Sequence, residues 1–354
     1  MQTQIDAIAG DTPGTSHSLV VHRFAGTDAS APKAYLQAAL HGAERPGVAA
    51  LHYLMPMLAA AERNNRLQGD VTIVPQANPI AASQHMMSQH MGRFAFGTRV
   101  NFNREFPVPG PDGVVRLDRP DAPVFAERRL KSRLLDLVSG ADIVLDLHCD
   151  DEGLSYLYVA DALWPGLADL ARCLQAEAVI RWHAMPDRAF EEAVFARMCT
   201  DAGGVAALGR RCVTTVEFRG EADVDPSLAR ADALGLYCFL AGRGVIDDPQ
   251  PATLALAPDF PAAPISHVEM IHAPAGGTLL FHVRPGDRVT EGDLLAEILV
   301  RPGEDGGTVT VHAPQAGLIL TRRSRRFIRT GDDLIKLVGV APSASARDGT
   351  LEAR

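Results

Sequence analysis

The sequence predicts an α/β protein with a mixed, largely parallel sheet, helices on both faces, and a small C-terminal all-β domain. Three observations predict it. Up to about residue 245, short apolar runs alternate with helical patterns, and strands alternating with helices imply a largely parallel sheet covered on both sides. Five prolines (Pro249, Pro251, Pro258, Pro261 and Pro264) then crowd residues 247–264, a density typical of linkers. Beyond them helical periodicity vanishes, and short apolar segments are separated by glycine turns such as Pro285-Gly286-Asp287 and Thr330-Gly331-Asp332. The expected divisions are an α/β domain over 1–246, a linker over 247–264, an all-β domain over 265–340 and a small, polar, flexible tail over 341–354.

In chain order, Ala34 to Leu40 is an apolar run. Val48 to Arg63 has helix formers and apolar spacing despite Pro56. Val71 to Pro75 reads as a strand. Ala122 to Val138 carries Leu130, Leu134, Leu135 and Val138 on one helical stripe. Ile143 to Leu147, Leu154 to Val159 and Val213 to Phe218 are further strands. Pro226 to Leu240 is a helix with Asp225 as N-cap and Pro226 at its first position. In the all-β region, His272-Ala273-Pro274 and His312-Ala313-Pro314 open two similar halves. Each half later has a Gly-Asp turn and a short strand, Leu294 to Ile298 and Leu334 to Leu337.

Composition narrows the function classes. Hydrophobic content of 47%, charged content of 22% and 354 residues suit a soluble globular chain with a sizeable core. A net charge of −9 argues against nucleic-acid binding, which needs a basic face. No apolar run approaches the ~18 residues of a membrane span. Residues 1–10 show no basic stretch leading into an apolar one, so no signal peptide is expected. The cysteines (Cys149, Cys173, Cys199, Cys212, Cys238) are odd in number and form no C-x-x-C pair. They read as reduced thiols in a cytoplasmic protein.

The candidate chemistry begins at His41-Gly42-Ala43-Glu44, an H-x-x-E following an apolar run. An imidazole and a carboxylate so spaced can share one ion if the backbone bends, and Gly42, without a Cβ, is expected to allow the bend. A catalytic zinc takes three protein ligands and leaves one position for water. His148, closing Ile143-Val144-Leu145-Asp146-Leu147-His148, is the third candidate. Asp146 lies two residues earlier on the same strand face, where it would orient the imidazole. Glu217 ends another apolar strand and is a candidate base for a metal-bound water. Asn103-Arg104 could clamp a carboxylate. Arg93 could offset the charge on a carbonyl oxygen, with Arg99 competing for that role. His41, Glu44, His148 and Glu217 all follow apolar strands, and open α/β sheets bind ligands at the carboxyl ends of their strands. Against this stands the plainer reading of each residue as a strand-ending or salt-bridged side chain.

His41-Gly42-Ala43-Glu44-Arg45-Pro46-Gly47, Asn78-Pro79, Arg93, Asn103-Arg104-Glu105-Phe106-Pro107, Asp146-Leu147-His148 and Thr215-Val216-Glu217 occur in an order that resembles the succinylglutamate desuccinylase/aspartoacylase family, part of the zinc carboxypeptidase-like group. The resemblance spans roughly residues 34–340. It implies one zinc per chain on His41, Glu44 and His148, Glu217 as general base, Arg93 at the oxyanion, and Asn103 with Arg104 on a substrate carboxylate. It implies a barrel-sandwich hybrid-like C-terminal domain and a deacylase of small acylated amino acids or amines, with a homo-oligomer compatible. The alternatives are a metallocarboxypeptidase acting on short peptides and a non-catalytic binding protein on the same fold.

Several features depart from that pattern or are set aside. Cys149-Asp150-Asp151-Glu152-Gly153 stands where small residues are usual after the histidine. Three carboxylates there, Asp150, Asp151 and Glu152, would favour a cationic substrate, unless they form a solvated turn. Phe102 and Asn101 also differ from the common residues. His85 to Met91 reads as a loop rather than a copper site, and Cys149 as packing. The arginines of 322–329 read as a solvated edge or subunit contact. The absence of lysine between Leu299 and Gly317 excludes a carrier hairpin.

Overall fold

A nine-stranded sheet forms the frame of the molecule, which we describe from a computed structural model covering residues 1–108, 124–183, 187–248 and 261–344. Its strands are β1 (Gln2–Ala9), β2 (Ser16–Phe24), β3 (Ala34–Ala38), β4 (Val71–Val74), β5 (Ile143–Asp150), β6 (Ser155–Ala160), β7 (Ala178–Trp182), β8 (Cys212–Gly220) and β9 (Ala262–Pro264), in the order β1-β2-β4-β3-β5-β8-β6-β7-β9. The pairs β4–β3, β3–β5, β5–β8, β6–β7 and β7–β9 are parallel, and β1–β2, β2–β4 and β8–β6 are antiparallel. The central strands β3 and β5 are buried on both faces, as their unbroken apolar runs require.

Helices α1 (Pro46–Arg63) and α3 (Phe190–Ala202) cover opposite faces, with α2 (Ala126–Leu137) and α4 (Pro226–Gly242) completing the layers. Residues alternate in direction along a strand. On β5, Leu147 meets Gly47 of α1 so closely that a Cβ at Gly47 would lie 2.7 Å from the Leu147 Cβ. The neighbouring Asp146 instead shares the other face with Gln37 and Tyr35, whose ring contacts Phe190 of α3. Asp225 caps α4 as expected, accepting from the backbone N–H groups of Ser227 and Leu228. The predicted start of α2 at Ala122 lies outside the described residues.

Residues 268–339 form two further sheets, and His85–Met86 pairs with Gln89–His90 in a short hairpin. β10 (Val268–His272), β14 (Gly317–Arg322) and β15 (Asp333–Gly339) build one; β11 (Gly277–Phe281), β12 (Leu294–Leu299) and β13 (Thr308–His312) build the other. Leu279, Leu295, Ile298, Ile319 and Leu337 close a core between them.

Two boundaries differ from the sequence reading. Ala262–Pro264, assigned to the linker, is the ninth strand of the large sheet, paired in parallel with β7. The β region is not a loosely tethered unit: Glu152–Gly153 pairs antiparallel with β14, and Leu318, Leu320 and Val338 pack on Tyr156, Ala178 and Ile180. Most of 249–264 and of the tail lies outside the described residues. Strands β1, β2 and β7 and helix α3 went unpredicted; β1 is an edge strand with an exposed, polar pattern that carries little apolar signal. No helix among the described residues is long and apolar enough to cross a membrane.

Candidate active site

Strand register assembles the site. β8 runs beside β5 so that Glu217 is the direct partner of His148, and Ala38 at the end of β3 is the partner of Leu147. His41 and Glu44 follow three and six residues after β3 ends. The chain bends at Ala39, whose φ is 57°, a left-handed conformation unfavourable for a residue with a Cβ. The expected reason for Gly42 is therefore corrected: its φ is not left-handed, and the bend lies three residues earlier. Gly42 is required by crowding, because a Cβ there would sit 2.6 Å from the His90 ring and 3.0 Å from Ala81.

The metal-ligand candidates converge. His41 Nδ1 lies 2.8 Å from Glu44 Oε1, and His148 Nδ1 lies 2.6 Å from Glu44 Oε2. All three side chains are buried, and one potential ligand atom from each falls within 4.8 Å of the others. Each imidazole has its far nitrogen held by an acceptor: His41 Nε2 by Asn101 Oδ1 at 2.8 Å, and His148 Nε2 by Asp146 Oδ2 at 2.9 Å. An N–H donated there leaves the Nδ1 lone pair free to face the shared point, the arrangement that metal-binding histidines use. Asp146 is in turn fixed by Gln37 Nε2 at 3.0 Å. Burial opposes the charge on Glu44, yet the two imidazoles hold its carboxyl well below the usual range. This donor set fits zinc. Among the described residues it is the only group of three such ligands.

Glu217 lies in the same cleft, and its Oε2 is buried without a hydrogen-bond partner among the described residues. Burial, reinforced by the Asp150 charge, pushes its carboxyl up to about 8. Arg93 Nη1 is 3.5 Å from Glu44 Oε1, whereas Arg99 is exposed and does not line the cleft. Of the two competing arginines, Arg93 is therefore the one that lines the cleft beside Glu44. Asn103 and Arg104 line the cleft; Asn103 Oδ1 accepts from the Phe190 N–H at 2.8 Å, and Arg104 pairs with Asp187 at 3.4 Å. Cys149 is buried and its thiol is pushed far up by burial, which suits packing rather than nucleophilic chemistry.

The acidic stretch differs from the sequence reading. Glu152 is held by Arg322 and Arg326 of the β region and does not line the cleft. Asp151 also lies outside it. Asp150 does line it, but Lys336 from β15 donates to Asp150 Oδ2 at 2.5 Å, and Tyr156 donates to the same oxygen at 2.6 Å. The three carboxylates therefore do not form a free acidic face, and two of the 322–329 arginines serve an internal contact rather than a solvated edge.

Lys336 was not identifiable from sequence, and Asn101, Thr215 and Glu191 were given no role in the site there. Thr215 alone had a local signal, standing two residues before Glu217 and so on the same strand face. Replacing Lys336 by Met strands a largely buried carboxylate and should cost about 3 kcal/mol in urea denaturation. A loss below about 0.5 kcal/mol would show that Asp150 does not depend on it.

The cleft is small, about 120 Å³, room for about four waters at liquid density. That is the scale of a small molecule.

Comparison with known proteins agrees with this architecture. The succinylglutamate desuccinylase/aspartoacylase catalytic domain matches residues 30–242. The N-alpha-acetyl-L-2,4-diaminobutyric acid deacetylase of Halomonas elongata is 26% identical over 327 residues, 88% of this chain and 83% of that protein. A family protein of known structure from Shewanella amazonensis superposes with a TM-score of 0.82 at 26% identity, covering 96% of this chain and 98% of its own. The product-bound ectoine utilization protein EutE (DoeB) of Ruegeria pomeroyi shares the fold, with a TM-score of 0.71 at 20% identity over 96% of this chain and 95% of its own. With its catalytic-domain match spanning most of the chain and its buried His-Glu-His group at the sheet edge, this chain belongs to the succinylglutamate desuccinylase/aspartoacylase family.

Proposed function

We propose that the protein is a zinc-dependent amidohydrolase that removes the acyl group from a small N-acylated amino acid or related acylated amine. The observation that carries this reading is the register that sets Glu217, with its buried, unpartnered Oε2, directly beside His148, in one cleft with Glu44 and His41. Bound zinc would supply Lewis-acid polarisation of the amide carbonyl and a lowered pKa for an attacking water.

The residues of the chain do the rest. His41, Glu44 and His148 would hold the ion, with Asn101 and Asp146 setting the imidazole orientations. Glu217 takes the proton of the attacking water and returns it to the leaving amine nitrogen. Arg93 donates to the carbonyl oxygen as it gains negative charge. Asn103 and Arg104 orient the substrate by its carboxylate. The deacetylase activity named for the Halomonas relative supports an acyl amino acid over a peptide. So does a small cleft walled by Met270 and Lys336 of the β region.

The test is amine release by the zinc-loaded protein from a panel of acyl amino acids and dipeptides. Acyl amino acids should be cleaved and dipeptides should not. Cleavage of dipeptides alone would establish the carboxypeptidase alternative, and ligand binding without cleavage of either would establish a binding protein.

A further inference from the structure

Lysine is rarely buried without a carboxylate partner, because an ammonium taken out of water loses its hydration. Lys131 is only 3% exposed. It stands three and four residues before Leu134 and Leu135, on the buried face of α2. Among the described residues its Nζ touches no carboxylate. It donates to the Asn101 carbonyl at 3.3 Å and to the Arg104 carbonyl at 2.7 Å, and it lies 5.6 Å from the centre of the Phe106 ring. Burial pushes its ammonium down to about 8. A leucine or methionine would fill the same place on the helix at less cost, so the charge calls for a reason outside the packing of α2.

The reason lies in what the two carbonyls belong to. Asn101 and Arg104 are the ends of a four-residue turn, closed by the Arg104 N–H donating to the Asn101 carbonyl at 3.2 Å. Asn101 Oδ1 holds both His41 Nε2 and the Asn103 N–H at 2.8 Å. Asn103 and Arg104 line the cleft. One turn therefore carries the group that orients a metal-ligand candidate and the groups that face a substrate. The backbone just beyond it is strained: Glu105 has a φ of 56°, a left-handed conformation unfavourable for a residue with a Cβ. Its N–H donates to the Asp187 carbonyl at 3.0 Å, and the Phe106 N–H donates to the Arg188 carbonyl at 2.8 Å. Strain of this kind persists only where the surroundings over-determine it. Lys131 grips the carbonyl immediately before the strained residue.

We propose that Lys131 is a positioning residue for both halves of the reaction centre: by tying the two ends of the Asn101–Arg104 turn to one ammonium, it holds Asn101 against His41 and Arg104 against the substrate carboxylate. A lysine suits the task because three N–H donors on one compact head serve two carbonyls at once. The Arg104 half rests on the deacylase reading above. The His41 half needs only that the ion binds.

The experiment uses the full-length protein with Lys131→Met and Lys131→Arg, each checked for its fold by circular dichroism and a melting curve. Zinc affinity is read by competition with a chelator. Both kcat and KM are read for the acetyl amino acid that the parent cleaves fastest and for its α-carboxamide. Lys131→Met should bind zinc about tenfold more weakly, the low end for loss of a group that supports a ligand. It should raise KM for the acetyl amino acid about tenfold with kcat little changed, the mark of lost uniform binding. The preference for the free carboxylate over the carboxamide should shrink by the same factor. Lys131→Arg keeps the charge and the donors and should recover both properties in part. Where Lys131→Met does not fold, Lys131→Gln takes its place. A folded variant that keeps the parent's zinc affinity, or keeps the parent's carboxylate preference, overturns the inference even if its rate falls. A parent without a carboxylate preference overturns the Arg104 clamp, and a zinc-loaded parent that hydrolyses neither compound overturns the deacylase reading. In both cases the zinc affinity of the variants decides Lys131 by itself.

Discussion

Glu217→Gln should lower kcat/KM for acyl amino acid hydrolysis by about 10²- to 10⁴-fold, the range of general acid–base catalysis. That corresponds to roughly 3–5 kcal/mol of lost transition-state stabilisation. The substitution keeps the shape and hydrogen-bonding reach of the side chain and removes only the proton acceptor. Glu217 is not among the three groups that converge as ligands, so zinc content should stay unchanged. Nor should the protein unfold more easily: the native state currently buries a carboxylate oxygen without a partner, and neutralising it removes a desolvation cost. The discriminating measurement combines amine-release kinetics, metal analysis and a melting curve. Activity within a few-fold of the parent, at equal zinc content, would refute the role assigned to Glu217.

Removing the metal should have an effect as large, and of a different kind. On the proposed function, chelation should abolish hydrolysis and zinc should restore it, because the ion would supply the carbonyl polarisation and the water activation. The same treatment should lower thermal stability, since a ligand bound only by the native state stabilises it by about 2.7 kcal/mol at a hundred times its Kd. His148→Ala should then show no zinc-dependent rise in melting temperature. Asp146→Asn should bind zinc about 10- to 100-fold more weakly while keeping all three ligands, because the amide holds the His148 imidazole less firmly than the carboxylate now 2.9 Å from its Nε2. If chelated protein hydrolysed substrate at the parent rate, the zinc mechanism would fail. The Asp146→Asn series would also show whether the fixed tautomer matters.

Much of this site was legible in the residues. His41, Glu44, His148 and Glu217 each follow an apolar strand, and a parallel sheet gathers strand ends at one edge. Asp146 was legible because strand alternation is local. Other features were misread where the deciding partner is distant in sequence. Asp150 and Glu152 looked like a free acidic run, but their counterions are 186 and 170 residues away. Gly42 looked like a hinge, but it is a point of close approach to His90, and the backbone bends at Ala39. Ala262–Pro264 looked like linker because proline density hides a three-residue strand.

Residue patterns foretold the α/β frame, a separate β region and the meeting of His41, Glu44 and His148 in one buried group. These rest on short-range properties: apolar period, glycine and proline placement, and which side chains end a strand. No local pattern foretold that Glu152–Gly153 joins the β region to the rest of the fold, or that Lys336 reaches the cleft wall. The same long-range packing neutralises Asp150 and Glu152, and it leaves Glu191 lining the cleft with one buried, unpartnered oxygen. A charge acquires its meaning from what neutralises it, and in this fold the neutralising groups arrive from strands far along the chain.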